Sequence, residues 1–323
     1  MVNRVWGTCG LCSTFKVGEE VPTGPVARLR TMRIGIIDIG SNTARLLVAD
    51  VDGASVERID EQRAHLGLGA AIERTGSLPG RKLAETASLA AEYAARADAR
   101  GAELVDVIVT APGRQAENGD ELVHSLRLAT GASVRVLSCD EEGRYAYDGA
   151  AAMLDRRPKA LAVCDIGGGS TEVVVGLRDL GPVFLRSFDV GSMRLTSRFF
   201  DGRPTAAAIA SAREFLNRRL DDLDAPAPTA ALATGGTAGA LRKVAGRRLD
   251  ADLLESVIAD LASRPPGRIA AAYGLERSRA RTILAGALIL AEVQRRLDVP
   301  FEVARGGLRE GAALALARVA QAA

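Results

Sequence analysis

Disulfide chemistry, base stacking and membrane crossing all lack raw material in this sequence. Four cysteines in 323 residues, Cys9, Cys12, Cys139 and Cys164, are too few and too scattered for a disulfide framework. Cys9 and Cys12 form a lone C-x-x-C with no second pair near it, which is weak support for zinc or redox chemistry. The two histidines, His65 and His124, stand in no ligand pattern. Aromatic residues make up 4%, which leaves little for stacking on bases. A net charge of +2 provides no global basic excess, so a polyanion site has to be a local cluster of arginine. The longest apolar run, Ile283 to Ala291, is far too short to span a bilayer, and no signal-peptide pattern opens the chain. The expectation is a cytoplasmic protein without nucleic-acid or membrane partners. Neither a P-loop nor a dinucleotide G-x-G-x-x-G after the first strand is present.

What is present is an ordinary globular balance, 47% hydrophobic and 25% charged, in a chain long enough for two domains. One stretch stands out. Val163 to Val175 reads V-C-D-I-G-G-G-S-T-E-V-V-V, an apolar strand ending in Asp165, a glycine turn, Glu172 and a second β-branched run. Without a Cβ in the way, Gly167, Gly168 and Gly169, with Ser170, can bring backbone N–H groups against an anion. Two carboxylates beside an anion site imply a bridging Mg²⁺, because like charges otherwise repel. The same arrangement occurs earlier as I-D-I-G-S-N-T-A-R-L-L-V from Ile37 to Val48. At an offset of 127 residues Asp38 meets Asp165, Gly40 meets Gly167, and Arg45 meets Glu172. Two strand–turn–strand units half a chain apart predict a duplicated fold with one ligand between the halves.

Read in order, residues 1–31 have no helical or strand period and are expected to be a poorly ordered extension, with Met32 as a candidate true start. Strands are predicted at Arg33–Ile37, Leu46–Val51 and Val56–His65, then a bend at Gly67-Leu68-Gly69 and a helix from Pro79 through Ala99. A buried strand, Leu104–Val109, leads into a loop from Thr110 to Arg114, at the strand end where ligands favour a parallel sheet. Asn118 and Asp120 are candidate caps for the next helix. A strand at Ser133–Leu137 precedes a helix from Ser138 through Leu154, with Glu141 and Glu142 in its first turn. The pattern restarts at Leu161. Strands to Leu177 and over Val183–Val190, helices across 205–222, and a strand at Ala230–Ala233 lead to Thr234-Gly235-Gly236-Thr237. That turn opens a helix and can take a phosphate on its N–H groups. Helices around 250–262 and 278–297, a strand at Phe301–Ala304 and a helix from Gly306 to Val319 complete the chain.

These motifs together resemble the exopolyphosphatase/guanosine pentaphosphate phosphatase (Ppx/GppA) family. Asp38-Ile39-Gly40-Ser41-Asn42 with Arg45 is similar to its first phosphate turn, and Asp165 to Glu172 to its second. Thr110 to Arg114 with Asn118, the paired Glu141-Glu142, Gly235-Gly236-Thr237 and Gly306 to Gly311 (G-G-L-R-E-G) follow in the family's order. The resemblance implies an α/β fold of two duplicated ribonuclease H-like domains, as in actin, Hsp70 and sugar kinases, with a cleft between them. Residues 32–140 and 141–323 are the expected domains, the last helix being free to pack back on the first. The chain looks like the short, two-domain form, and a homodimer is what the family suggests.

The implied chemistry is Mg²⁺-assisted hydrolysis of the terminal phosphoanhydride of inorganic polyphosphate or of guanosine pentaphosphate. In this scheme Glu142 is the general base, and Asp165 and Glu172 hold the metal. Asp38, Gly40, Ser41, Asn42, Arg45, Arg114, Gly167, Gly168, Gly169, Ser170, Gly236 and Thr237 bind phosphate. Pattern alone leaves Glu142 as a first-turn glutamate favoured by the helix dipole, and Arg45 as a solvated strand residue. The basic run Arg242, Lys243, Arg247 and Arg248 reads either as a tail-binding helix end or as a solvated face. Two other classes remain: an ATP-dependent sugar or acetate-type kinase, and a non-catalytic binder of polyphosphate or alarmone.

Overall fold

Continuous apolar stretches put the middle of each sheet under cover on both faces, as parallel strands require. In chain order the elements of the first half are β1 (Met32–Ile39), β2 (Thr43–Asp52), β3 (Ser55–His65), α1 (Leu68–Thr75), α2 (Gly80–Ala99), β4 (Leu104–Val109), α3 (Ala111–Gln115), α4 (Gly119–Thr130) and β5 (Ser133–Val136). Next come α5 (Cys139–Ala152), β6 (Ala160–Ile166), β7 (Thr171–Leu177), β8 (Gly181–Phe188), α6 (Ser192–Phe199), α7 (Ala206–Arg219), β9 (Ala230–Thr234), α8 (Gly235–Ala245) and β10 (Arg248–Leu249). The chain closes with α9 (Ala251–Ser263), α10 (Pro266–Tyr273), α11 (Arg277–Leu297), β11 (Phe301–Val303) and α12 (Leu308–Ala322). The computed structural model describes residues 30–200 and 204–322. The Cys9–Cys12 pair and nearly all of the expected extension lie outside them.

Two mixed sheets result, ordered β3-β2-β1-β4-β5 and β10-β11-β9-β6-β7-β8. In each, an antiparallel hairpin (β1/β2 or β6/β7) is joined by a parallel strand on its other side (β4 or β9). The α/β architecture of two sheets is therefore as the sequence predicts. β6 is buried along its whole length, whereas β3 is an edge strand whose charged residues protect its open side.

Helices α5 and α12 tie the sheets together. Ala312, Ala313, Leu314 and Ala317 of α12 pack on Ile34, Ile36, Leu47 and Ala49 of the first sheet. Tyr147, Ala150 and Ala151 of α5 pack on Leu161, Val163 and Val174 of the second. The two helices cross through glycine. A Cβ on Gly149 would lie 1.9 Å from the Gly307 carbonyl oxygen, and one on Gly311 would lie 1.9 Å from the Tyr145 carbonyl oxygen.

Several local expectations are corrected. The Gly67-Leu68-Gly69 bend is the start of α1, with Gly67 in the left-handed region at φ 65°. Thr110 to Arg114 is not a loop: Pro112 lies in the first turn of α3, where a missing N–H costs nothing. Asn118 caps no helix with its side chain; its carboxamide accepts from Leu78 N at 2.9 Å and donates to Leu78 O at 3.0 Å. Helices α6 and α10 were not anticipated. Arg248 belongs to β10, so only Arg242 and Lys243 of the basic run are helical.

Two expectations about stability follow from these contacts. Asp60 on β3 accepts from Arg96 Nε at 2.8 Å, Arg100 Nε at 2.9 Å and Gln62 Nε2 at 3.2 Å, and the Arg96 bond foremost holds its carboxyl well below the usual range. A depressed carboxyl contributes stability above its unfolded value of about 4, and the contribution fades as pH falls below it. Asp60→Asn is expected to cost about 1–2 kcal/mol near neutral pH. Urea titrations should show the gap from wild type shrinking as the buffer is acidified; a gap independent of pH would refute the assignment. Gly311→Ala meets backbone, which cannot yield as a side chain can. A loss on the order of 3 kcal/mol is expected, read as a fall of several degrees in Tm.

Candidate active site

The strand-end acids stand in matching places. Across the β1/β2 hairpin Asp38 faces Arg45, and across β6/β7 Asp165 faces Glu172. Each hairpin turn is closed by the same bond, Gly40 N to Thr43 O and Gly167 N to Ser170 O, both at 3.0 Å. The first helix after each three-strand unit then fixes the turn. Gly69 N at the start of α1 donates to Ser41 O at 2.7 Å. At the start of α6, Ser192 N donates to Gly167 O at 2.9 Å and Met193 N to Gly168 O at 3.0 Å. All peptides among the described residues are trans, so a carbonyl held by a helix turns the N–H of the same peptide the other way. The amides of Asn42, Gly168 and Gly169 thus point away from α1 and α6, and these three residues line the cleft between the sheets. Gly191 makes this possible, since a Cβ there would stand 2.4 Å from the Gly168 carbonyl.

The cleft has a volume of about 340 Å³. Of the residues singled out in the sequence, Asp38, Gly40, Ser41, Asn42, Arg45, Glu142, Asp165, Gly167, Gly168, Gly169, Ser170 and Gly236 line it. Arg114, Glu172 and Thr237 do not; they form its second layer. Glu172 is 1% exposed behind Asp165, with Ser187 Oγ donating to its Oε1 at 2.7 Å. Arg114 reaches Glu142 Oε2 at 2.9 Å and Leu137 O at 2.6 Å, so it anchors the glutamate to the end of the first sheet. The neighbouring glutamates divide their work. Glu141 forms a capping box with Ser138, which already satisfies the N-terminus of α5, while Glu142 turns inward and is 7% exposed.

Burial dominates the electrostatics. It pushes Glu142 up to about 7, with Arg114 opposing and the charges of Asp165 and Asp38 adding. Asp165 rises to about 6 for the same first reason, against the pull of Arg45. Asp38 and Glu172 are raised as well, Glu172 by burial and then by Glu142 and Asp165. On the opposite side burial lowers Arg45, and Arg309 adds to the effect. Arg279 falls to about 10 through burial and the nearness of Arg45 and Arg63. Buried acids and buried guanidinium groups therefore share the cleft, Asp38 and Arg45 as cross-strand partners. Such a site favours an anion against the arginines and a cation among the acids.

Sequence reasoning missed many of the basic residues of the cleft. Arg279, at the start of α11 and 7% exposed, presses on Gly236 together with Arg45: a Cβ there would lie 2.4 Å from an Arg279 Nη and 2.9 Å from an Arg45 Nη. Arg58, Arg305 and Arg309 also line the cleft. A second cavity of about 530 Å³ adjoins it through Arg45, Gly236, Lys243, Arg279 and Arg309. Arg309 stands inside the G-G-L-R-E-G stretch, so its signal was in view. Arg279 is one of three arginines at alternate positions, and nothing local separates it from Arg277 and Arg281.

Comparison with known proteins identifies the family. The model of the Ppx/GppA phosphatase family matches residues 47–318. Exopolyphosphatase 1 of Mycobacterium tuberculosis is 30% identical over 299 residues, covering 87% of this chain and 87% of its own. A guanosine-5'-triphosphate,3'-diphosphate pyrophosphatase of Pseudoalteromonas atlantica is 25% identical over 85% of this chain but 56% of its own. The crystal structure of the Aquifex aeolicus Ppx/GppA family member superposes with a TM-score of 0.77 at 28% identity, covering 90% of this chain and 99% of that one. With a family match over most of its length and a solved relative of the same shape, the chain belongs to the Ppx/GppA phosphatase family.

Proposed function

We propose that this protein is an exopolyphosphatase that hydrolyses the terminal phosphoanhydride of inorganic polyphosphate and releases orthophosphate. The observation that carries the reading is Glu142, a buried carboxylate raised to about 7 and aimed into a cleft walled by two amide turns and several arginines. A general base works best with a pKa near the operating pH. Phosphoryl transfer otherwise needs positioning and charge neutralisation, which turns and guanidinium groups supply. The exopolyphosphatase relative supports this choice of substrate, and the pyrophosphatase relative supports guanosine pentaphosphate as the second reading.

In this scheme the amides of Asn42, Gly168 and Gly169 hold the terminal phosphoryl oxygens, with Arg45 and Arg279 against the bridging chain. Glu142 takes a proton from the attacking water, and Arg114 keeps the carboxylate in place. A divalent cation fits the acids. Asp38 Oδ1 and Glu172 Oε2 are buried without a hydrogen-bond partner, and the acids raise one another's proton affinity. Mg²⁺ keeps several waters and binds through one or two carboxylates plus substrate phosphate. Asp165, backed by Glu172, is the ligand we assign, and the ion would neutralise charge on the phosphoryl oxygens. The matching turns, strand-end acids and following helices support descent of both halves from one duplicated ribonuclease H-like unit.

Orthophosphate release measured side by side on short polyphosphate, long polyphosphate, guanosine pentaphosphate and ATP, with Mg²⁺, tests the reading. Turnover of guanosine pentaphosphate alone would select the second reading, and transfer to an acceptor without free phosphate would sink hydrolysis. Glu142→Gln is expected to lower kcat by about 10²–10⁴ while polyphosphate still binds; unchanged turnover would remove the base assignment. Gly236→Ala displaces Arg279 and Arg45, and a roughly tenfold weaker binding of tripolyphosphate is expected, on the scale of one charged hydrogen bond.

A further inference from the structure

We propose that the first turn of α6, from Gly191 to Arg194, is a clasp that sets the spacing of the two anion-binding turns, with Met193 and Arg194 as positioning residues. The inference rests on the reading of the cleft as a phosphoanhydride site. Its backbone and its side chains face different partners. The amides of Ser192, Met193 and Arg194 hold the carbonyls of Gly167 and Gly168, which aims the second turn into the cleft. The side chains of Met193 and Arg194 cross to the other half of the molecule and meet α1, the helix that holds the first turn.

The Met193 contact is close and apolar. A Cβ on Gly69 would fall 2.1 Å from Met193 Cε and 2.9 Å from Ser41 Cβ, so the thioether end rests on the bare backbone of α1 beside the first turn. From the other side, a Cβ on Gly168 would lie 3.4 Å from Ser41 Cβ and 3.7 Å from Met193 Cβ. Ser41, Gly69, Gly168 and Met193 therefore gather at one place, where the two turns approach each other and Met193 bridges them. Methionine suits it, being unbranched and able to fill an irregular gap. Beside it Arg194 Nε donates to Glu73 Oε1 of α1 at 2.9 Å, and the same guanidinium group pairs with Asp189 of its own half. This pair is partly exposed and ranks second to the methionine.

A bridge between the turns favours the arrangement in which both sets of amides reach one phosphoryl group. Loosening it leaves the chemical groups intact but lowers the fraction of molecules ready to bind, and apparent affinity falls by that fraction. Steady-state kinetics on tripolyphosphate with Mg²⁺ tests this. Met193→Ala is expected to raise KM about tenfold with kcat within about twofold, because bound substrate then has to draw the halves together. Met193→Leu should restore most of the affinity, and Arg194→Ala should raise KM about threefold, as befits an exposed pair. Thermal unfolding of each variant reports folding separately. An unchanged KM in Met193→Ala, or a loss of kcat that tracks a loss of folded protein, overturns the clasp. If the wild-type protein releases phosphate from none of polyphosphate, guanosine pentaphosphate or ATP, it is the phosphoanhydride reading that fails, and the clasp falls with it.

Discussion

Charge buried without enough water is the constraint on which this structure depends. Asp38, Asp165 and Glu142 line one cleft with Glu172 behind them, and burial raises the proton affinity of each. A few residues away Arg45 and Arg279 are pressed together and lose affinity for their protons for the same reason. Neither cluster is comfortable alone. A buried carboxylate or guanidinium group without full compensation costs free energy that the rest of the fold has to offset. Two sheets with apolar central strands and the crossed pair α5 and α12 provide that offset. In the proposed function, a bound polyanion and a divalent cation supply the compensation that these groups lack.

Orientation of the backbone is the second requirement, and it comes from helices. The glycine turns do not aim themselves. Ser41, Gly167 and Gly168 present their N–H partners to the cleft because α1 and α6 hold the carbonyls of those peptides. Gly191 and Gly235 are fixed by the same need: the first has no room for a Cβ against Gly168, and the second adopts φ 83° beside Asp165. The crossing of α5 with α12 performs the corresponding task for Glu142. It brings the end of a helix that packs on the second sheet up against Arg114, which belongs to the first.

Much of the fold could be read along the chain. Period-2 and continuous apolar runs identified the strands, and Pro79 with the alanine-rich stretch to Ala99 identified the long helix α2. The helices that escaped are short and begin at glycine or proline: α1 after Gly67, α3 across Pro112, α6 after Gly191 and α10 at Pro266. Local propensity reads those residues as turns, whereas tertiary contacts make them helix starts. Within the cleft, twelve of the residues expected there line it. Arg114, Glu172 and Thr237 lie one layer back in space.

The sequence by itself determined the two repeated strand–turn–strand units, their acids at Asp38 and Asp165, and the paired glutamates, because each depends on residues close together in the chain. For the paired glutamates the family resemblance points to Glu142, and the tertiary structure supplies the reason: Glu141 is consumed by the cap of α5, while Glu142 turns inward and is buried. Only the tertiary structure decided that Arg279 rather than its neighbours joins Arg45, and that α1 and α6 meet at Met193 and Gly69. Those facts depend on which face of a helix meets which turn across more than a hundred residues. Hydrophobic packing between distant segments sets that choice, and no local pattern records it.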